Sequence, residues 1–396
     1  MTKPARIDGP RVCMLSYYFE PDYSGSAIQA RSLCHALVAR GVRPFVVCAM
    51  IGSRIAEERV EDLSVFRLPA PGTGSNRVAS FWAALAGFLI RRRRDYDIVH
   101  AHGTVQHVPA GPLGRWLGKP TIVKVAMAQS DINFPRQGRL WGRVNRWGVG
   151  QFSRYIATSG DIEREFGERG LDTSRVLRIP NGVDTGLFRP VEGTEERDRL
   201  KRDLGLPPGP LVAFVGMLIP RKNVHVLLEA FVRVRASNPA AHLVIVGPPP
   251  PPGSTSRYPE QLNEIVRGAN ASTGVTFAGR VPSSAPYLRA ADVFAFPSTQ
   301  EGMPNVLLEA MACGIPSIAS RISGTTDIVR DGDDGFLFEP TDVDALARRL
   351  GELLADSARR RTIGEAARRR VLASYSLDSV AARYIALYDE LLRGAA

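Results

Sequence analysis

Short runs rich in Val and Ile alternate with longer amphipathic segments along almost the whole chain, and this alternation constrains the fold more than any other feature. Strands that read as continuous apolar runs are covered on both faces, which is the condition of a parallel sheet flanked by helices. The first half offers Val12–Leu15, Phe45–Cys48, Val65–Leu68, Ile98–Ala101, Thr121–Val125, Tyr155–Thr158 and Val176–Ile179 as such strands. Between the first two, the spacing predicts a helix over Ile28–Arg40 with Leu33, Leu37 and Val38 on one face, stopped by Gly41.

The pattern breaks after Pro180–Asp184, where the chain turns polar and then runs through Pro207-Pro208-Gly209-Pro210. It restarts with Leu211–Val215, His242–Val246, Val275–Ala278, Val293–Phe296 and Ser317–Ala319. A chain of 396 residues suits two domains better than one. The expectation is an α/β protein of two Rossmann-like domains, 1–185 and 186–375, with a helical, Arg-rich tail from about Leu346 whose arginine runs (Arg359–Arg361, Arg368–Arg370) read as solvated faces. The five prolines Pro248–Pro252 read as a stiff surface loop.

Composition narrows the class further. Hydrophobic residues at 44% and charged residues at 23% are globular proportions. The net charge of +11 is uneven, since residues 1–185 hold 26 basic and 16 acidic side chains and the remainder is nearly balanced. An anionic partner therefore belongs to the first half. Four scattered cysteines (Cys13, Cys34, Cys48, Cys313) without metal spacing read as free thiols of a reducing cytoplasm. The N-terminus lacks the apolar core of a secretory signal, and the longest apolar stretch, Val78–Ile90, falls short of the roughly 17–25 residues a membrane span needs.

The chemistry concentrates in Ala291–Gly314, ADVFAFPSTQEGMPNVLLEAMACG. A buried strand enters a loop with Pro297, Gly302 and Pro304; Asn305 stands where an N-cap belongs, and Gly314 stops the helix. The backbone N–H groups of Val306 and Leu307 would then be free at a helix start above a parallel sheet, a ready phosphate site. Glu309, one turn inside, suits a ribose diol, and Glu301 suits a hydroxyl or a developing positive charge. Spacing alone leaves open the structural roles of a loop carboxylate and a first-turn dipole partner.

Glu301 and Glu309 are separated by seven residues, and this E-x7-E pair resembles the motif of retaining nucleotide-sugar glycosyltransferases of the GT-B fold, family 4 in particular. PNVLLEAMACGIPSIAS, GTTDIVRDGDDGFLFEPTDVDALA, IPNGVDTGLFRP and FVGMLIPRKNVHVLLEAF are similar to that family's segments. The resemblance implies two domains facing each other across a cleft, with the C-terminal helix (about 376–396) returning to the N-terminal domain. It implies an acceptor-binding first domain and a donor-binding second one. Glu309 would bind the donor ribose and Glu301 would face the donor sugar. Lys222, helped by Arg221, would neutralise the pyrophosphate, and the backbone of Asn305, Val306 and Leu307 would cradle it. In the first half, Gly25 in the loop Tyr17–Ala27 would touch donor phosphate, and His102, ending the segment Asp97–His102, would hydrogen-bond the transferred sugar. His100, on the same face, reads as core. No metal and no cofactor beyond the nucleotide sugar is implied.

Some positions depart from the family pattern. Met217 stands where an arginine is frequent, Ala128 where a histidine is, and Asp327 where a glutamate is, while Pro248–Pro252 replaces a glycine-containing turn. Ser75–Arg94 joins an aromatic, apolar segment to four arginines, and Leu140–Phe152 adds Trp141, Arg143, Arg146 and Trp147. Basic charge interleaved with aromatics fits an anionic membrane surface, and an ordinary core helix with a basic end is the competing reading of Ser75–Arg94. The leading expectation is a hexosyltransferase acting on a lipid-linked or polysaccharide-precursor acceptor at the cytoplasmic membrane face. A soluble acceptor such as an inositol or a sugar phosphate is the alternative. A nucleic-acid-binding protein would explain the pI of about 9.8, but no zinc spacing or aromatic RNA-binding strand supports it.

Overall fold

In the computed structural model, residues 9–394 are described apart from 22–23, 52–54, 105–106, 127–130, 133–138, 251–256 and 270. Ala128 and the end of the proline run fall outside the described residues. The chain divides into two units, one running to Gly182 and taking back the residues from Leu377 on, the other spanning Val183–Ser376.

The first unit is built on an eight-stranded sheet. Its strands are β1 (Arg11–Ser16), β2 (Arg43–Ala49), β3 (Glu57–Val60), β4 (Leu63–Leu68), β5 (Ile98–His102), β6 (Thr121–Val125), β7 (Arg154–Ala157) and β8 (Val176–Arg178), in the order β3-β4-β2-β1-β5-β6-β7-β8. All pairings are parallel except the β3–β4 hairpin at one edge. Helix α1 (Gly25–Val38) covers one face together with the C-terminal helix Leu377–Gly394, around Met14, Leu37, Ile122, Tyr384 and Tyr388. Val38, expected on the buried face, is exposed: Ala30, Leu33, Cys34 and Leu37 complete the buried stripe without it. Gly41, with φ of 80°, supplies the left-handed turn after the helix.

The other face carries α2 (Gly74–Arg91), which buries Phe81, Leu85, Phe88 and Leu89 against the sheet. The apolar side of Ser75–Arg94 is thus a core face, as the core-helix reading of that segment expects. Its basic end folds back, with the Arg92 guanidinium 4.8 Å from the Phe66 ring centroid. Helix α3 (Arg139–Val149) behaves oppositely: Leu140, Trp141, Val144 and Trp147 are all exposed.

The second unit has a six-stranded, all-parallel sheet of β9 (Leu211–Val215), β10 (His242–Val246), β11 (Val275–Gly279), β12 (Val293–Phe296), β13 (Ser317–Ser320) and β14 (Phe336–Phe338), ordered β11-β10-β9-β12-β13-β14. Helices α4 (Val224–Ser237), α5 (Asn305–Ala312) and α6 (Ser357–Ser374) pack on its faces. Arg368 of α6 is no solvated arginine: its guanidinium donates to the carbonyls of Ala312, Phe188 and Thr185, closing the carboxyl end of α5.

Candidate active site

In the second unit two loops at the carboxyl ends of β9 and β12 bring three charged residues together. Lys222 Nζ lies 2.5 Å from Glu301 Oε1, and Arg221 Nη1 donates to the same oxygen at 3.0 Å. Backbone bonds fix the approach, since Thr299 N–H donates to the Arg221 carbonyl at 2.8 Å and Arg221 Nη1 also reaches the Gln300 carbonyl at 3.1 Å. Lys222 lies 5.1 Å from the Phe296 ring centroid. Burial pushes the Lys222 ammonium down from its usual range, and Glu301 works against that shift by favouring the charged form.

Close backbone contact holds the Glu301 loop in place. A Cβ on Gly324 would sit 2.1 Å from the Gly302 carbonyl oxygen and 3.2 Å from that of Glu301, so only glycine fits there. Gly247, with φ of 146°, makes the same kind of approach to Gly216, ahead of the Arg221–Lys222 turn.

Helix α5 begins at Asn305, so Asn305 is its first residue and Pro304 (φ −73°, ψ 112°) occupies the cap position expected for Asn305. The Leu307 N–H bonds to the Pro304 carbonyl at 3.2 Å and is not a free group, another difference from expectation. Glu309 lies partly buried on α5, where Ser284 Oγ donates to it at 3.2 Å. Desolvation pushes its carboxyl up to about 7, with the Ser284 bond opposing. Ser284 escaped sequence reasoning because a serine at the start of a short helix carries no spacing signal toward Glu309.

In the first unit, β1 leads through Tyr17–Ala27 into α1. Ser24 caps that helix by accepting from Ala27 N–H at 3.1 Å, and Gly25 is its first residue. His102 closes β5 and is buried, with no hydrogen-bond partner for Nε2 among the described residues. His100 shares its face, the ring centroids being 4.9 Å apart, and its Nδ1 is 2.8 Å from the Tyr388 hydroxyl. Burial first, then neighbouring positive groups, holds His102 well below the usual histidine range; His100 and His107 fall to about 3, chiefly through burial. These rings are neutral at physiological pH.

An open hollow of about 420 Å³ lies beside α3, lined by Arg143, Arg146, Trp147, Tyr155, Leu171 and Arg175. It belongs to the amino-terminal ends of β7 and β8, opposite the end where His102 sits. Among the described residues no group of three or more His, Cys, Asp and Glu side chains is arranged to hold a metal ion, and no helix is long and apolar enough to cross a membrane.

Two family descriptions match, one per unit: "Glycosyl transferase 4-like domain" over residues 24–182 and "Glycosyl transferases group 1" over 196–370. A D-inositol 3-phosphate glycosyltransferase of Salinispora arenicola is 32% identical over 320 residues, 74% of this chain and 69% of that one. The chain belongs to glycosyltransferase family 4. A protein of the same name from Acidothermus cellulolyticus is 33% identical over 293 residues, covering 69% of this chain and 62% of that relative's length. Among solved structures, Anabaena HepE in complex with UDP superposes with a TM-score of 0.80 over 96% of this chain and 100% of that one, at 19% identity. The architecture is therefore that of a GT-B nucleotide-sugar glycosyltransferase, and the two parallel sheets are its paired Rossmann-like domains.

Proposed function

We propose that this glycosyltransferase moves a hexosyl group, with retention, from a nucleotide diphosphate sugar to a hydroxyl of a lipid-linked or polysaccharide-precursor acceptor at the cytoplasmic membrane face. The cluster of Arg221, Lys222 and Glu301, one loop ahead of the α5 start, carries the reading. Two cations held against one carboxylate give a leaving diphosphate its counter-charge where charge develops, with no metal required. Glu309 takes the ribose diol, the α5 start and Gly25 approach the phosphates, and His102 and Glu301 orient the sugar. The leaving phosphate oxygen deprotonates the acceptor on the same face, so no side-chain base is needed.

Peripheral membrane binding is supported by α3, where Leu140, Trp141, Val144 and Trp147 are exposed beside Arg143 and Arg146. Each basic residue near an anionic surface contributes about 1 kcal/mol. A soluble phosphorylated acceptor is the second reading, supported by the names of the inositol phosphate transferases above.

Titration with UDP, GDP, ADP and their sugar conjugates, with EDTA present, tests the donor assignment. One nucleotide should bind saturably to the wild type and about 10- to 100-fold more weakly to Glu309→Ala, since hydrogen bonds to a charged group are worth roughly 1.5–3 kcal/mol. No binding by any nucleotide would sink it. For the membrane, flotation with anionic vesicles should carry the wild type and leave W141E/W147E behind; equal flotation of both excludes α3 as the contact.

A further inference from the structure

The chain uses only five lysines against 46 arginines, and among the described ones Lys124 and Lys201 are buried and Lys222 is largely shielded. Lys201 has Asp292 Oδ2 at 3.2 Å and the Gly209 carbonyl at 2.6 Å. Lys222 has Glu301. Lys124, at 3% exposure the most buried of the three, makes no ion pair or side-chain hydrogen bond among the described residues, and burial alone acts on its charge. An ammonium taken out of water without a counter-charge is costly, and folded proteins keep one only where something else meets it.

Its position shows where that partner enters. Ser16, His102 and Lys124 are register partners on β1, β5 and β6, and the row continues to Ile156 on β7. Register partners in parallel strands project to the same face, so the three form one buried polar row at the carboxyl edge of the sheet. Ligands of open parallel sheets bind outside that edge. One row further in, Met14, His100 and Ile122 close the floor, with His100 held by Tyr388. Among the described residues, His102 Nε2 and His100 Nε2 both lack hydrogen-bond partners. Ser16 Oγ is engaged with the Tyr18 carbonyl at 2.8 Å. Among the described residues, the titratable groups beside Lys124 are thus neutral histidines and no acid.

We propose that Lys124, one strand over from the His102 that orients the donor sugar, binds a phosphate group carried by the acceptor. This rests on the glycosyltransferase reading above and adds the acceptor's chemical class to it. The donor diphosphate has its own cations, Arg221 and Lys222, which leaves Lys124 for a second anion. A phosphate offers the ammonium several charge-assisted acceptors at once. Burial alone pushes the Lys124 ammonium down to about 7, so a phosphate arriving at pH 7.5 draws a proton onto it. His100, His102 and His107, also held low, stay neutral there and leave that uptake to Lys124.

The test is calorimetry at pH 7.5 in two buffers of different ionisation enthalpy, on wild type, Lys124→Met and Lys124→Arg. Inorganic phosphate, glucose 6-phosphate, glucose and vesicles containing phosphatidylinositol are titrated in turn. Wild type should bind at least one phosphate-bearing probe with net proton uptake and should ignore glucose. Lys124→Met should lose at least tenfold in affinity together with the proton uptake, Lys124→Arg should keep the binding, and nucleotide affinity should stay within twofold in both. Binding of the soluble probes marks a free phosphorylated acceptor, and binding of the vesicles alone marks a lipid headgroup. Lys124→Met should also melt no lower than wild type at pH 6, because it removes an unmatched buried charge. Phosphate affinity unchanged in Lys124→Met, a nucleotide affinity that falls with it, no phosphate probe bound by wild type, or a lower melting point at pH 6 would each overturn the proposal. If no nucleotide binds wild type while Lys124-dependent phosphate binding persists, the anion site stands and the transferase reading fails.

Discussion

Glu301 holds two cations on a single oxygen, Lys222 at 2.5 Å and Arg221 at 3.0 Å, and the Lys222–Glu301 pair is largely shielded from solvent. A donor diphosphate must share those cations with Glu301. Glu301→Gln should therefore bind the free nucleoside diphosphate more tightly than wild type while turning over about 10²–10³-fold more slowly, the scale of losing one preorganised charge contact. Titration calorimetry and steady-state rates on the same protein check both halves. A variant that loses nucleotide affinity along with turnover contradicts the shared-cation arrangement.

Glu309 gives donor binding a pH dependence. Its carboxyl is pushed up to about 7 by desolvation, and the ionised form is the better acceptor for two ribose hydroxyls. Nucleotide affinity should be level above pH 8 and fall about tenfold per unit below pH 6. In Glu309→Gln this dependence should vanish.

Gly324→Ala tests the close approach behind the Glu301 loop. The new methyl would lie 2.1 Å from the Gly302 carbonyl oxygen, and backbone must shift to admit it. We expect a loss of about 1–3 kcal/mol in stability together with weaker donor binding, because the displaced loop carries Glu301. Chemical denaturation and nucleotide titration measure the two effects separately.

Strands buried on both faces were the most legible part of the sequence. Thr121–Val125, Leu211–Val215, His242–Val246 and Val293–Phe296 stand where the apolar runs ended. The runs that escaped had no such signal: Glu57–Val60 is an antiparallel edge strand reading EERV, and Phe336–Phe338 is three residues long. Family membership and fold were legible in the E-x7-E segment and its flanks. What covers a helix was not: the apolar pattern of α2 and the aromatic pattern of α3 look alike in sequence, yet one faces the sheet and the other solvent. Lys124 was equally silent, because a lysine inside VKV reads as a residue on a strand until its neighbours are known.

The two units should respond to pH with opposite slopes, and single variants can separate them. Glu309 has its folded value raised above the unfolded one near 4.5, so its protonated form favours folding. That contribution is complete below about pH 4.5 and is lost as pH rises through 7. Lys124 is the reverse: its folded value of about 7 lies below the unfolded 10.5, so the unfolded chain binds more protons between them and stability rises with pH across that window. His100 and His107, at about 3 against 6.5 unfolded, make stability fall in acid from about pH 6.5 downward. Thermal melting from pH 4 to 10 should show Glu309→Gln removing a loss between pH 4.5 and 7, and Lys124→Met removing a gain above pH 7. Should Lys124→Met leave the alkaline slope untouched, Lys124 is already matched by a counter-charge in the free protein, and the buried row at the carboxyl edge of the first sheet carries no uncompensated cation.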